Sequence, residues 1–410
     1  MAITALNNSR PHDAHRGRSD IWVHIWRIIP IGYDTTRLTE PGSRNGGINY
    51  VGALNQLARQ GVTRRNNAAI LLIRAARPRL FPAGTWYGRE ILRQLDMPPF
   101  AANATSLIPL SDWVRKHPLP GNPGRYTRSH LETSLGSHPW TVAQYPVLAQ
   151  WVKANRGPLA LLVHAVGRTR YYAPLESSDG GLIHTRVPLP GPLSYLVQVA
   201  AMRGMLELGH GNVDGAMRWA SRIHRLALLV AQSPDVVSYL VGIRFAAIAI
   251  RMLQAVAKTD ELPAKQLAAL SVSLKAMPSL PTVTVALNNL RYTGLSMIMM
   301  LDHNGLALLN IKGMPEAEKE FVNAIWPIDY AGMMREENDI FDAEVAAGKL
   351  PGFLEEFHRM KQLKKIINRQ GSPVRMILNP ANVADVPRPF LHISIIYNGL
   401  CVFFALTCSH

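Results

Sequence analysis

Between residues 193 and 304 apolar side chains recur every three to four positions, and each run is stopped by glycine or proline. That period lines one stripe of an α-helix; a half-buried strand would alternate every two. Leu193 to Leu208 predicts one helix, Gly209-His210-Gly211-Asn212 a tight connector, and Val213 to Gln232 a second helix running back. Ser233-Pro234-Asp235 reads as an N-cap serine with proline at the first helical position, opening a third helix to about Ala257. This third helix is apolar nearly all round (Val236, Val237, Leu240, Val241, Ile243, Phe245, Ile248, Leu253), the pattern of a helix buried on most faces. Arg244 and Arg251, seven apart, share one stripe and must reach solvent or find acidic partners. Further helices are expected from Pro263 to about Met277 and from Pro281 to about His303.

The fold class that follows is all-α: antiparallel helical hairpins joined by short turns, packed as an irregular bundle or short α-solenoid. At most one small β-hairpin is expected, from Leu182 to Val187 beside Ser177-Ser178-Asp179-Gly180-Gly181. Residues 1–32 read as a flexible basic arm with a short apolar segment. Residues 33–172 read as an N-terminal helical region, with helices near 50–58, 68–76, 87–95, 111–116, 141–154 and 158–168 around a long Pro/Gly loop. Residues 173–192 form a connector, 193–370 a central and C-terminal helical region, and 371–410 a loop and apolar tail. No repeat at the period of a helical solenoid motif is visible.

Hydrophobic residues make up 48% of the 410, enough for a large core, and only 18% are charged. The net charge of +16 is uneven: +11 over residues 1–130, +7 over 131–315 and −2 over 316–410. Such a field attracts phosphates, acidic lipid or acidic proteins. Arginine outnumbers lysine about three to one, however, which a GC-rich coding bias also produces, and no other nucleic-acid signature accompanies the charge, so nucleic acid is a disfavoured partner. The two cysteines, Cys401 and Cys408, exclude a disulfide framework for the body of the chain. The apolar run Ile21 to Ile29 is broken by His24 and Arg27 and makes no clear signal peptide; a surface strand or interfacial segment is expected. Phe390 to Thr407 is close to spanning length but interrupted by His392, Asn398 and Gly399; a buried terminal element is expected there, with a tail anchor as the alternative.

Thr35-Thr36-Arg37-Leu38-Thr39-Glu40-Pro41, Ile48 to Asn55 and Gly61 to Ala69 together resemble the opening of a large family of uncharacterised planctomycete-type bacterial helical proteins, and Trp326 to Tyr330 resembles a later part of it. The likeness covers about residues 33–365 and departs upstream of Ile31 and after Gly371. It implies a helical, envelope-facing protein, in many members with an N-terminal membrane anchor, and carries no assigned activity or site residue.

Two Glu-x-x-His pairs, Glu207/His210 and Glu355/His358, are the metal candidates, since di-iron bundles use such pairs. Two are close to chance, and His210 sits in a glycine-flanked connector, so no metal and no cofactor is expected. The acidic residues from Asp329 to Glu344, with Glu337 and Glu344 seven apart, read as a solvated helix face or a complement to the basic N-terminal third. His164, among Leu161, Leu162, Val163 and Val166, reads as a hydrogen-bonded core histidine. Nucleophile-elbow, phosphate-loop and dinucleotide motifs are absent. The leading expectation is a non-catalytic scaffold that presents a groove to a protein or peptide. The alternatives are an enzyme of unknown class with its site in the central helices, or a basic binder of nucleic acid or of an anionic membrane. Catalytic residues and oligomeric state are not readable.

Overall fold

The computed structural model describes residues 29–43, 46–76, 83–100, 106–118, 135–187, 189–259, 262–304 and 329–349. Among them are twelve α-helices and no strand: α1 (Tyr50–Arg59), α2 (Ala68–Ala76), α3 (Trp86–Gln94), α4 (Leu110–Lys116), α5 (Pro146–Ala154), α6 (Arg156–Val166), α7 (Pro190–Gly209), α8 (Val213–Val230), α9 (Val236–Ala257), α10 (Ala264–Lys275), α11 (Val283–Asn304) and α12 (Tyr330–Ala347). The all-α reading therefore holds. In place of the expected hairpin, Leu182–His184 forms a 3-10 turn beside a single antiparallel bridge between Glu176 and Arg186. The helix at 353–368, the segment at 21–28 and the apolar tail lie outside the described residues.

Short polar side chains set the helix starts. Asn212 Oδ1 accepts the Gly215 N–H at 2.9 Å and opens α8, while Gly211 takes φ +77° in the turn before it; that left-handed backbone suits glycine. At α9 the cap is Asp235, not Ser233 as its position before proline suggested: Asp235 Oδ1 accepts from Ser238 N at 2.7 Å, and Ser233 Oγ donates to Asp235 Oδ2 at 2.5 Å. A carboxylate two residues closer to the helix takes the free N–H group in place of the hydroxyl. Helix α5 starts at Pro146, five residues after the expected Thr141, because Thr141 and Gln144 close their own turn, with Thr141 N donating to Gln144 Oε1 at 2.8 Å.

The chain forms two compact units, Val51–Leu290 and the pair of segments Met1–Tyr50 with Arg291–His410. In the first, α8 packs against both α7 and α9, and α2 pairs with α6. Leu193, Val197 and Met202 of α7, Ile223 and Ala227 of α8, and Phe245, Ala249 and Met252 of α9 are fully buried. Each large side chain among them contributes about 1.5–3 kcal/mol by leaving water. Glycine lets the axes approach: a Cβ at Gly242 would stand 2.9 Å from the Ala227 carbonyl oxygen, and one at Gly204 would stand 3.0 Å from Trp219 Cβ. The connector after α6 is held by side-chain amides acting as backbone partners. Asn67 Oδ1 accepts from Tyr172 N (2.9 Å) while its Nδ2 donates to Tyr172 O (2.8 Å), and Asn55 does the same for Leu175 (2.8 and 2.9 Å).

The second unit gathers residues 29–50, α11 from Arg291, and α12. The acidic stretch on α12 was expected as a solvated face or as a complement to the N-terminal third; Asp339 and Asp342 are exposed and Asp342 meets Arg37, but two of the carboxylates are not solvated. Glu337 and Glu344 are buried, Glu344 at 2% exposure, and Asp342 binds both Arg37 (2.6 Å) and the buried Arg291 (2.7 Å). Asn338 Nδ2 donates to the Asp34 and Thr35 carbonyls at 3.0 and 2.6 Å, and Arg335 pairs with Asp34 at 3.1 Å. That hydrogen bond holds Asp34 below its ordinary pKa. Helix α12 and the N-terminal loop thus exchange charges in both directions, Arg335 to Asp34 and Asp342 to Arg37.

Candidate functional site

Three helices of the Val51–Leu290 unit, with the end of a fourth, enclose an open groove of about 530 Å³. Helix α6 lines it with Arg156, Leu159, Ala160 and Val163, and α8 with Gly215, Arg218, Trp219 and Arg222. Each set steps by three or four residues, so each is one stripe of its helix. Arg203 and Glu207 of α7 form a third wall, and Val152 and Lys153 close the end of α5.

The groove carries five cations against one carboxylate. Glu207 is already engaged, by Arg203 one turn earlier and by Asn212 Nδ2 at 2.9 Å. Among the described residues no carboxylate pairs with Lys153, Arg156, Arg218 or Arg222. The Arg222 guanidinium lies over the Trp219 ring, its carbon 4.6 Å from the ring centroid. Burial pushes the Arg222 pKa down, and the Arg218 charge one turn away pushes it further. Two like charges held together without a counter-ion are unfavourable, and an anion placed between them removes that repulsion. The apolar residues of α6 and the Trp219 face offer a dry surface beside the charges.

Glu207 thus lies in the groove, but as an ion-pair and cap partner. His210 is exposed and does not line the groove. Glu355 and His358 lie outside the described residues, among which no group of three or more His, Cys, Asp or Glu gathers as a metal site. His164 is exposed on α6. It falls on the helix's solvent stripe between buried Leu162 and Ala165, which corrects the core reading. Arg244 and Arg251 reach solvent.

Two polar clusters invite a catalytic reading, and neither lines the groove. Asp179 accepts from Ser177 Oγ at 2.9 Å and faces His184 Nδ1 at 2.5 Å. Ser177 Oγ shares its one proton between Asp179 and the Gly181 carbonyl, and His184 bonds the aspartate rather than the hydroxyl, so the serine–histidine–aspartate order of a nucleophilic triad is not made. The cluster pins its turn. Glu176, nearly buried, is pushed up to about 7, first by burial and then by Glu90. Glu90 is held at about 2, chiefly by Arg93 and Gln94. Gln94 Nε2 donates to both carboxylates, at 3.0 Å to Glu90 and 2.5 Å to Glu176.

Sequence reasoning did not find the groove. Its signal was present as Arg218-Trp219 with Arg222, beside Arg156 and Lys153, but these residues come together only once α5, α6, α7 and α8 are folded. Comparison with protein-family models, with curated proteins and with solved structures finds no match to this chain.

Proposed function

We propose that the Val51–Leu290 unit is a non-catalytic binding module whose cationic groove receives an acidic segment of a protein partner. The observation that carries this reading is the convergence of Lys153, Arg156, Arg218 and Arg222, none neutralised by a described carboxylate, around the exposed part of Trp219. A groove of about 530 Å³ is within the size range of ligand sites, and its open form suits a chain segment lying across it. Guanidinium groups recognise carboxylates through paired hydrogen bonds, and Trp219 with Leu159 and Val163 suits a large apolar side chain next to them. The groove has no histidine, and its one carboxylate is engaged by Arg203 and Asn212, which favours binding over acid–base chemistry there. Membership of the planctomycete-type family and an envelope location belong to the same proposal, supported by residues 35–69 and 326–330 alone.

Fluorescence anisotropy with a fluorescein-labelled peptide of alternating glutamate and leucine tests it, with a lysine/leucine peptide as control. The acidic peptide binds, binding weakens as salt rises, and the double variant Arg218→Gln, Arg222→Gln weakens it about tenfold or more. Equal affinity for both peptides, or wild-type affinity in the double variant, overturns the reading. Preference for a single-stranded oligonucleotide over the acidic peptide would replace it with nucleic-acid binding.

A further inference from the structure

The arginine stripe of α8 does not stop where the groove stops. At about 100° per residue, Arg218, Arg222 and Arg225 fall within an arc of about 60°. Arg225 therefore continues the line of Arg218 and Arg222, about one turn past the last residue of α8 that lines the groove. It is half-buried, and its Nη2 donates to the carbonyl of Arg168, just past the end of α6, at 3.4 Å. Helices α6 and α8 pack on each other. The two stripes that wall the groove thus come to the same end.

On the α6 side the order is charge, apolar, charge. Lys153 and Arg156 come first, then Leu159, Ala160 and Val163, and then the Arg225 guanidinium at the Arg168 carbonyl. Arg218 and Arg222 line the path between on α8, with Trp219 beside them. From Arg156 to Arg168 the helix rise of about 1.5 Å per residue makes about 18 Å. The contact with the Arg168 carbonyl has a structural role, because a cation at the carboxyl end of α6 offsets the carbonyls left unpaired there. It occupies one N–H of the guanidinium, and among the described residues no carboxylate pairs with Arg225. The charge is unmet, and the other N–H groups suit a carboxylate.

We infer that the acidic segment received by the groove carries its carboxylates in two sets, one for Lys153 and Arg156 and one for Arg225, with a large apolar side chain between them. This rests on the reading of the groove as a site for an acidic segment and adds the spacing that selects among such segments. An extended chain advances about 3.3 Å per residue, so sets about five residues apart reach both ends of the site. A single block of carboxylates serves one end, and its apolar residues then fall outside the stretch lined by Leu159, Val163 and Trp219.

Fluorescence anisotropy with two labelled peptides of the same composition tests it. One has two glutamates on each side of a serine–leucine–serine centre; the other has all four glutamates ahead of the same three residues. Net charge is equal, so a difference in affinity reports spacing. The full chain binds the split peptide about fivefold more tightly than the blocked one. Arg225→Gln weakens the split peptide about fivefold and the blocked peptide less than about twofold, and Arg225→Lys, which keeps the charge but not the fork, retains part of the preference. Circular dichroism checks that the variants fold, and the wild-type comparison needs no variant. Equal affinity of the two peptides for the wild-type chain overturns the inference while the groove's acidic preference stands. A preference for the split peptide that a folded Arg225→Gln protein keeps in full overturns it too. Failure of both peptides to bind removes the reading of the groove itself, and the spacing with it.

Discussion

Replacing Glu207 by glutamine removes the groove's one carboxylate and should tighten the binding of an acidic segment, the opposite of what losing a typical site residue does. The magnitude follows from Coulomb's law. A carboxylate about 7 Å from an anion in an open groove, at an effective dielectric constant of about 50, repels it by about 1 kcal/mol. That is about fivefold in affinity at low salt, and screening reduces it to about twofold at physiological ionic strength. Glutamine keeps an acceptor for Asn212 Nδ2 and releases Arg203 toward the ligand, which acts in the same direction. The stability cost is that of one i,i+4 pair near the surface, about 0.3–0.5 kcal/mol. Anisotropy titration with the glutamate/leucine peptide at two salt concentrations reads both values, with thermal unfolding as the control on folding. Unchanged or weaker binding in a folded Glu207→Gln protein would show that the ligand does not approach this wall, and the assignment of the groove would fail.

Two predictions concern the scaffold around the site. Asn67→Ala removes the acceptor for Tyr172 N and Ala69 N and the donor to Tyr172 O at a buried position, and should cost about 3 kcal/mol in urea unfolding; a loss under 1 kcal/mol would mean that water replaces the amide. For Glu176, a folded pKa raised to about 7 means that the folded protein holds a proton that the unfolded chain has released. Its favourable contribution is complete below the unfolded value near 4.5 and is lost as pH rises through about 7. Glu176→Gln should therefore gain stability relative to wild type on going from pH 5 to pH 8, by about 1 kcal/mol after allowing for solvent screening; a pH-independent difference would refute the assignment.

Local rules carried most of the architecture and little of the site. The α7 to α11 boundaries follow from periodicity with glycine and proline stops, because each depends on neighbours within one turn. The misplaced cap at α9 shows the limit of that reasoning: Ser233 and Asp235 are both good caps, and only their mutual hydrogen bond decides. His164 was misread because an apolar neighbourhood in sequence spans all sides of a helix, one of which faces water. Glu337 and Glu344 were read as solvent-facing because spacing along one helix does not show which side its neighbours cover, and Glu337 packs against Gly294 of α11. The groove belongs to the same class of fact. Each of its stripes is visible alone, but the charge of one stripe acquires meaning only against the charges of the others.

The arginine excess can now be weighed against coding bias. A compositional bias supplies arginines without regard to where carboxylates stand. In the unit built on α12, Arg37, Arg291 and Arg335 each meet Asp34 or Asp342, so the excess is neutralised internally. In the Val51–Leu290 unit the opposite holds at two places: Arg218 depresses Arg222, and Arg244 depresses Arg251, with no carboxylate interposed at either. Each repulsive pair costs stability in the free protein, and the Arg218–Arg222 pair lies beside the apolar lining of the groove. Random enrichment would scatter such pairs over polar surface, where water screens them. The position of Arg218 and Arg222 next to Trp219 is the arrangement in which a bound anion offsets the most repulsion. Arg218→Gln should accordingly leave the free protein as stable as wild type or more so, while weakening the peptide complex.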